Sequence, residues 1–482
     1  MKNENRFYIR ILSPVHIGCD EVYEPMGFIV DETSATLMAF DPLDFFRALS
    51  PAKQTQFSDI CRKGTIVSLL ELNKFMQSQR FDGYSVKICQ GFIDHYKQNL
   101  AMKPTDKNVQ QELNRFSISR TSFNAHDNRP YIPGSAIKGA LRTAYLNSLA
   151  KNEKRTFYNK PKDKDAAQML EKGLLLYNKL EKDPFRLLKV SDFVPVQAST
   201  KIVYAVNVKK EKTDEPRRGV PQILEIIEPG SIFTGTVIVE ERYAKEAEIK
   251  QPLTQMSLFQ SASAFYNQEM KREKEELQAA GFTFPKEDDL VGGWLLRVGR
   301  HSGAESVTIK GHRNISIKQA GGRWTDLDHA TTVWLASETR KDYFKNTLQP
   351  FGWAALGQMT EAMDAAFEKI RIEEEKASIP SVAETPSAKV SQDPPAVKQT
   401  ETVEEVWDEA HVSFNAGGGG IVTATGKDGK KAELHGKDKA LAATAESLHK
   451  KLFEGKRKID MARVTVRKIG NRFDVIGIAP QE

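Results

Sequence analysis

Cysteine is scarce. The 482 residues hold three, Cys19, Cys61 and Cys89, far apart, odd in number and without a CxxC pair. That argues against a disulfide framework and a cysteine-based zinc site, and it fits a reducing cytoplasm. Long apolar runs are also missing. No stretch approaches the ~18 consecutive apolar residues of a membrane helix, and the opening MKNENRFYIR lacks the apolar region of a secretory signal. The nine histidines are scattered without an HExxH pattern or a Cys/His cluster, and His126-Asp127 reads as an ordinary polar loop dipeptide. No GxGxxG loop follows an early strand, and no carboxylate spacing picks out a catalytic pair. The expectation is a chain without metal, cofactor or membrane span.

What is present is enough to fold. Hydrophobic residues make up 40% of the chain, which excludes disorder of the whole and, at ~100–200 residues per domain, suggests two to four domains. The net charge of +6 is mild, but it is unevenly placed. Residues 372–410 carry ten acidic side chains and three lysines, a net of −7, whereas residues 411–482 carry a net of +6 and residues 1–371 a net of +7. Two basic bodies flanking an acidic strip suit a polyanionic partner, with ordinary solubility charge as the alternative.

The acidic strip contains Pro380, Pro386, Pro394 and Pro395 among Ser, Thr and Glu without apolar periodicity, the composition of a disordered linker. Beyond it, HVSF, GIVTAT and KKAELHG read as strands, ALAATAESLHKKLF as a helix, and ARVTVRKIGNRFDVIGI as a hairpin, with turns at 417–420, 427–429 and 470–471. This is a small β-rich α+β module, possible to close as a barrel. Before the linker, RFYIRIL, ASTKIVYAVNV, QILEIIEPGSIFTGTVIVEE and WLLRVGR read as strands, with a turn at Glu228-Pro229-Gly230. DPLDFFRAL, TIVSLLELNKFMQS and the region 263–281 read as helices. The expected organisation is α+β: domains at 1–170 and 171–371, the linker at 372–410 and the basic module at 411–482. The polar, lysine-rich NEKRTFYNKPKDKDAAQ lies near the first boundary.

Four runs could carry chemistry. In RPYIPGSAIKGALR, residues 129–142, Pro133 and Gly134 make a turn and Ser135 suits an N-cap. Ile137, Leu141, Ala144 and Tyr145 form the apolar face of the helix that follows. Lys138 and Arg142, four apart, share another face. Backbone N–H groups and two cations then gather at one helix start, a phosphate site; the alternative is a capped helix with two solvated cations. The second run, GGWLLRVGRHSG from Gly292, places Gly299, Arg300, His301, Ser302 and Gly303 in a loop that could bind an anion, with Arg297 adding charge. The third, LSPVHIG, offers His16, either a general base or a structural histidine beside Val15 and Ile17. The fourth, RFSISRTSF, interleaves Arg115 and Arg120 with Phe116 and Phe123, as suits single-stranded RNA or a half-buried strand. Lys212, Arg217 and Arg218 belong to a polar loop.

Taken together, SPVHIG, YIPGSAIKGALRT and LRVGRHSG resemble the RAMP (repeat-associated mysterious protein) superfamily of CRISPR effector subunits. Within it the likeness is greatest to the subunit that caps the crRNA 3′ end in type III-A (Csm) complexes, and GFIVDE, LKVSDF and PFGWAALGQ are similar to it too. The resemblance covers about residues 6–360. It implies two ferredoxin-like (RRM-type) domains that grip crRNA beside other Csm-type RAMP subunits, without an established nuclease site. It also implies a part in crRNA 3′-end maturation through recruited host nucleases. By position, Gly134, Ser135, Lys138 and Arg142 would face RNA phosphates, and Gly299, Arg300, His301 and Gly303 would form the RNA loop with His16 close by. The alternatives are a sibling backbone subunit, a metal-independent endoribonuclease using His16, His301 and Lys138, or a protein whose basic faces bind an acidic protein. The linker and basic module depart from the family pattern, and the module's charge suits either an accessory RNA-binding domain or a docking domain for a nuclease.

Overall fold

The computed structural model describes residues 5–79, 81–151, 153–158, 164–211, 220–243, 245, 248–282, 293–340, 347–378, 404–415, 421–435, 437–454, 458–469 and 472–481. The chain forms two compact units, Met1–Ser381 and Val382–Glu482. Both mix strands with helices, as the sequence leads one to expect. Gly292, Lys212, Arg217, Arg218, the four linker prolines and the turns at 417–420 and 470–471 lie outside the described residues, as does part of the lysine-rich segment.

The first unit is built on two large sheets, with a small two-stranded one at Ile315–Lys318 and Trp324–Leu327. One has the strand order Trp294–Arg297, Trp353–Gln358, Arg6–Ile11, Ile232–Val239, Leu188–Val190, with Val194–Gln197 also pairing Ile232–Val239. Every pairing in it is antiparallel, and Ile9 faces Phe233 on one side and Leu356 on the other. The period-2 pattern of RFYIRI explains the central strand: Phe7, Ile9 and Ile11 are buried while Arg6, Tyr8 and Arg10 are half-exposed. Two helices join this core. Gly134–Ala150 contributes Ile137, Leu141, Ala144 and Tyr145, the spacing of one helical face. Gln255–Ala279 contributes Leu258, Phe259, Ala262 and Tyr266, and Thr254 starts it with a capping box to Ser257. Along the chain this layer therefore reads strand, helix, three strands, helix, two strands.

The second sheet has the order Gly18–Val22, Ile118–Thr121, Gln222–Ile227, Thr200–Lys209, Tyr84–Ile88, Thr36–Ala39, Phe28–Asp31, with Thr332–Ser337 also on Thr200–Lys209. Its core includes Ile202, Tyr204, Ile223 and Leu224, joined by Phe92, Ile93 and Tyr96 of the helix Gln90–Ala101. Both sheets take strands from either side of residue 170. The Glu228-Pro229-Gly230 turn, with Gly230 at φ +89°, does not close a hairpin; it passes the chain from one sheet to the other.

The helix Glu361–Ser378 runs into the segment expected to be linker, because EAMDAAFEKIRIEEEKAS is rich in strong helix formers. Residues 379–403 lie outside the described residues, and a strand begins at Glu404 rather than at 411. In the second unit five strands close into a barrel around Val412, Val422, Ala432, Val464 and Val475. No helix among the described residues is long and apolar enough to cross a membrane.

Candidate nucleic-acid interface

Residues 12–17 carry the chain from the first sheet to the second, and backbone hydrogen bonds reach them from several elements. Leu12 N–H donates to the Trp353 carbonyl (2.9 Å), and Val15 exchanges bonds with Ile227 (3.1 and 2.7 Å). Gly352 N–H donates to the Pro14 carbonyl (2.9 Å), Arg300 N–H to that of His16 (2.8 Å) and Ser122 N–H to that of Ile17 (2.7 Å). Ser122 in turn accepts from Tyr131 N–H (3.2 Å), the residue that leads into the helix Gly134–Ala150. Three sequence runs separated by up to some 280 residues thus meet at one junction.

The glycine-rich loop can make this approach only through its backbone conformation. Gly299 has φ +84° and lies so close to the His16 carbonyl that a Cβ would overlap it. His301 follows at φ +64°, with its ring against Trp334 (4.9 Å between centroids) and Phe351 (5.3 Å). Gly303, at φ +76°, closes the loop. The His16 and His301 rings are nearly parallel, 6.5 Å apart. His16 is 1% exposed and shares a 2.7 Å hydrogen bond between Nδ1 and the Glu225 carbonyl. Burial pushes both imidazoles down, with the Arg300 charge acting the same way, and brings His301 to about 4. Both rings are therefore neutral near pH 7. Arg300 is half-exposed and pairs with the exposed Asp20.

Arg297 differs from the sequence expectation. It is buried, 2.7 Å from the Glu273 carboxylate, donates to the Phe351 carbonyl (3.0 Å) and lies over Trp353. It fastens the strand before the loop to the long helix and contributes no surface charge. Arg313 with Glu269 and Lys210 with Glu305 extend this buried ionic layer beneath the loop.

At the helix start, Pro133 rather than Ser135 occupies the capping position. Gly134 is first in the helix and packs against the Val190 and Ser191 carbonyls, where a Cβ would collide. Its N–H donates to the Asp192 carboxylate (2.8 Å), so a protein anion already holds one of the helix's first donors. Ser135 is exposed. Lys138 is half-buried and donates from Nζ to the Leu188 carbonyl (2.9 Å); burial and neighbouring Lys189 lower its pKa. Arg142 shares Lys138's face, as the spacing requires, but that face carries acids: Arg142 pairs with Glu171 and Asp183 (3.0 Å to the latter) and stacks on Phe185. The picture of two solvated cations is corrected accordingly.

Arg120 lies over the Tyr23 and Phe123 rings, 4.7 and 3.4 Å from their centroids, and bonds Asn128 (3.1 Å). Arg115 ends its own helix, 3.8 Å from Glu112. Beside the junction a groove of about 450 Å³ is lined by residues including Phe123, Arg129, Tyr131, Asp192 and Arg371. Sequence reasoning missed Glu225, buried in the second sheet with its carboxyl pKa raised by burial and accepting from Thr121 N–H (3.2 Å). A lone acid inside the apolar run ILEII is the signal that could have found it. Asp192 carries no comparable local signal.

A fold of one antiparallel and one mixed sheet with helices, with a glycine-rich loop and the approach to a helix start drawn to one point, matches a defined class. The sequence profile of the RAMP superfamily matches residues 8–284, more than half of the chain, and the chain belongs to that superfamily. Within it the chain is similar to the CRISPR system Cms protein Csm5 of Methanocaldococcus jannaschii, 27% identical over 219 residues that cover 43% of this chain and 47% of the relative. It is also similar to Csm5 of Streptococcus thermophilus, 26% identical over 214 residues, 40% and 54% of the two chains. The match spans about half the length of these curated relatives. Among solved structures, a chain of the cryo-EM Csm-crRNA-target RNA ternary complex of a type III-A CRISPR-Cas system aligns at TM-score 0.49 and 19% identity, over 73% of this chain and 100% of that one. The crystal structure of T. onnurineus Csm5 aligns at TM-score 0.46 and 18% identity, over 72% and 99%.

Proposed function

We propose that this chain is a crRNA-binding structural subunit of a type III-A effector complex, placed at the crRNA 3′ end and aiding 3′-end maturation. The observation that carries the reading is the junction itself: the loop from Gly299 to Gly303, the His16 stretch and the approach to the Gly134 helix are hydrogen-bonded together. The relatives' identity as Csm5 supports it. Its partners are then crRNA, other Csm-type subunits and recruited host nucleases, and its place is the cytoplasm. A layer whose strands alternate with two helices along the chain, one strand before the first, three between and two after, supports a ferredoxin-like first half, with the second sheet as its companion. Phosphates would meet Arg300, the loop backbone, Ser135 and Lys138, while Arg142 holds the helix in place. Arg120 on its two rings, and Arg115 further along, extend the basic surface.

The endoribonuclease alternative has one point in its favour, two neutral imidazoles side by side. Against it, His16 is almost wholly enclosed, so its ring does not reach a ribose 2′-OH as placed, and Lys138 already donates one Nζ–H to a carbonyl. Gentle purification of the tagged chain from its host, with sequencing of bound RNA and identification of co-purifying proteins, tests the scaffold reading. CRISPR RNAs with neighbouring Csm subunits are expected; absence of enriched RNA overturns it. Incubation with labelled repeat RNA in EDTA separates the alternative, which requires cleavage that His16→Ala abolishes.

A further inference from the structure

We infer that the barrel of the second unit binds a single-stranded polynucleotide on the outer face of four of its strands. This goes beyond the reading of the first unit and does not rest on it.

The barrel order is Glu404–Asn415, Ile421–Thr425, Lys431–His435, Arg472–Pro480, Lys458–Ile469, closing back on Glu404–Asn415. The third and fifth strands in chain order pair parallel and the other pairs are antiparallel. The helices Lys437–Ala443 and Glu446–His449 lie between the third and fourth strands, and Ala440 joins the core. This is the connectivity of the OB-fold. The long first strand serves both sides of the barrel because it bends: its register shifts between Trp407 and Val412, and Glu409 has φ +56°.

The site argument rests on side chains. The pairing registers set two outward rows across the sheet. One runs Lys458, Ser413, Thr423, Glu433 and the other His411, Thr425, Lys431. Inward neighbours Val412, Val422, Ala424 and Ala432 fill the core. The face is thus low and lined by hydroxyls, with an exposed lysine at each of two opposite corners, Lys458 and Lys431, and an acid, Asp460 or Glu433, beside each. Extending the unit back to Glu404 lowers its net charge from +6 to +2, but three of the four added acids are engaged elsewhere. Asp408 lies 3.5 Å from Arg463, Glu409 2.5 Å from Lys427, and Glu405 accepts from the Trp407 indole. On the face itself Asp460 pairs with His411 (3.1 Å), and Glu433 is also partnered.

Four adjacent strands span about 14 Å, room for one sugar-phosphate chain and narrower than a duplex. Short hydroxyl side chains let a backbone lie close, and the lysines at opposite corners meet phosphates at either end of the stretch that crosses the face. A protein partner would need large apolar anchors at the centre of its contact. Among the described residues of the barrel, the exposed large apolar side chains are Val406 and Met461, and neither belongs to the two rows.

The test uses the full chain with two probes, a 4-thiouridine-substituted 15-nucleotide oligouridylate and a 4-thiothymidine-substituted oligothymidylate of the same length. Ultraviolet cross-links are mapped by mass spectrometry, and affinity is read by fluorescence anisotropy across a salt series. Cross-links within 404–435 are expected. Lys431→Glu with Lys458→Glu should weaken binding at this face by roughly tenfold, and Lys431→Ala with Lys458→Ala should lower the salt slope by about 1.4, two single-strand phosphate contacts. Equal behaviour of both probes assigns the site to the shared phosphodiester chain, and preference for the uridylate to the ribose hydroxyl. Cross-links confined to residues 6–360 overturn the barrel site while leaving the proposed function standing, and so does an absence of cross-links. Both pairs of substitutions lie on the surface, and the cross-link map of the unsubstituted chain needs no variant.

Discussion

Arg300 donates its backbone N–H to the carbonyl of His16 at 2.8 Å, tying a late loop to the turn after the first strand. The bond leaves the Arg300 side chain on the surface and buries the His16 ring, so the two residues of the junction have separable roles.

Arg300→Ala should therefore leave stability within about 0.5 kcal/mol of the parent while weakening crRNA binding and lowering its salt slope by about 0.7. Thermal denaturation and anisotropy titrations check the two halves. An unchanged slope would remove Arg300 from the RNA surface.

Arg297→Ala should do the opposite. It strands the Glu273 carboxylate in the core, and breaking such a buried pair costs about 3–5 kcal/mol. Denaturant unfolding should show the loss, and any fall in RNA binding should follow the unfolded fraction.

Gly299→Ala places a Cβ against the His16 carbonyl at a backbone angle that L-residues avoid. A loss of about 1–3 kcal/mol is expected, together with weaker RNA binding at temperatures where the chain stays folded. Full retention of affinity would show that the loop backbone does not touch RNA.

Arg142→Ala should reduce stability by about 2 kcal/mol through lost charge-assisted bonds to Glu171 and Asp183, with little change in RNA affinity of the folded fraction. A selective loss of affinity would return Arg142 to the phosphate surface.

The two histidines make stability depend on pH with a defined sign. Their folded pKa values lie below the ordinary 6.5, that of His301 at about 4, so the unfolded chain takes up protons that the fold refuses. The contribution is intact above pH 6.5 and is lost as pH falls from there toward 4. His301→Asn keeps a residue that tolerates positive φ and removes one titration. Urea unfolding at pH 7 and pH 5 should show a smaller difference for this variant than for the parent.

The strands were legible wherever alternation was strict, as in RFYIRI, and the barrel elements wherever turns punctuated short β-rich runs. Pairing across the fold was not legible: nothing local in QILEIIEPGSIFTG says that its two strands serve different sheets. The glycine-rich loop could be located from composition because close backbone approach needs glycine. The inward turn of Arg297 and the neutralisation of Arg142 could not, since their partners Glu273, Glu171 and Asp183 lie outside their motifs. Ser135 was misplaced as a cap because its side chain suits that role, whereas Pro133 fixes where the helix can begin.

The central position of Arg6–Ile11, between Ile232–Val239 and Trp353–Gln358, bears on how the chain is made. Its flanking strands are translated more than 200 and 300 residues later. At ~5–20 residues per second the ribosome needs on the order of half a minute to supply the second of them. Through that interval the nascent strand carries Phe7, Ile9 and Ile11 without its sheet, a period in which a chaperone or an assembling neighbour would meet it before its own fold does.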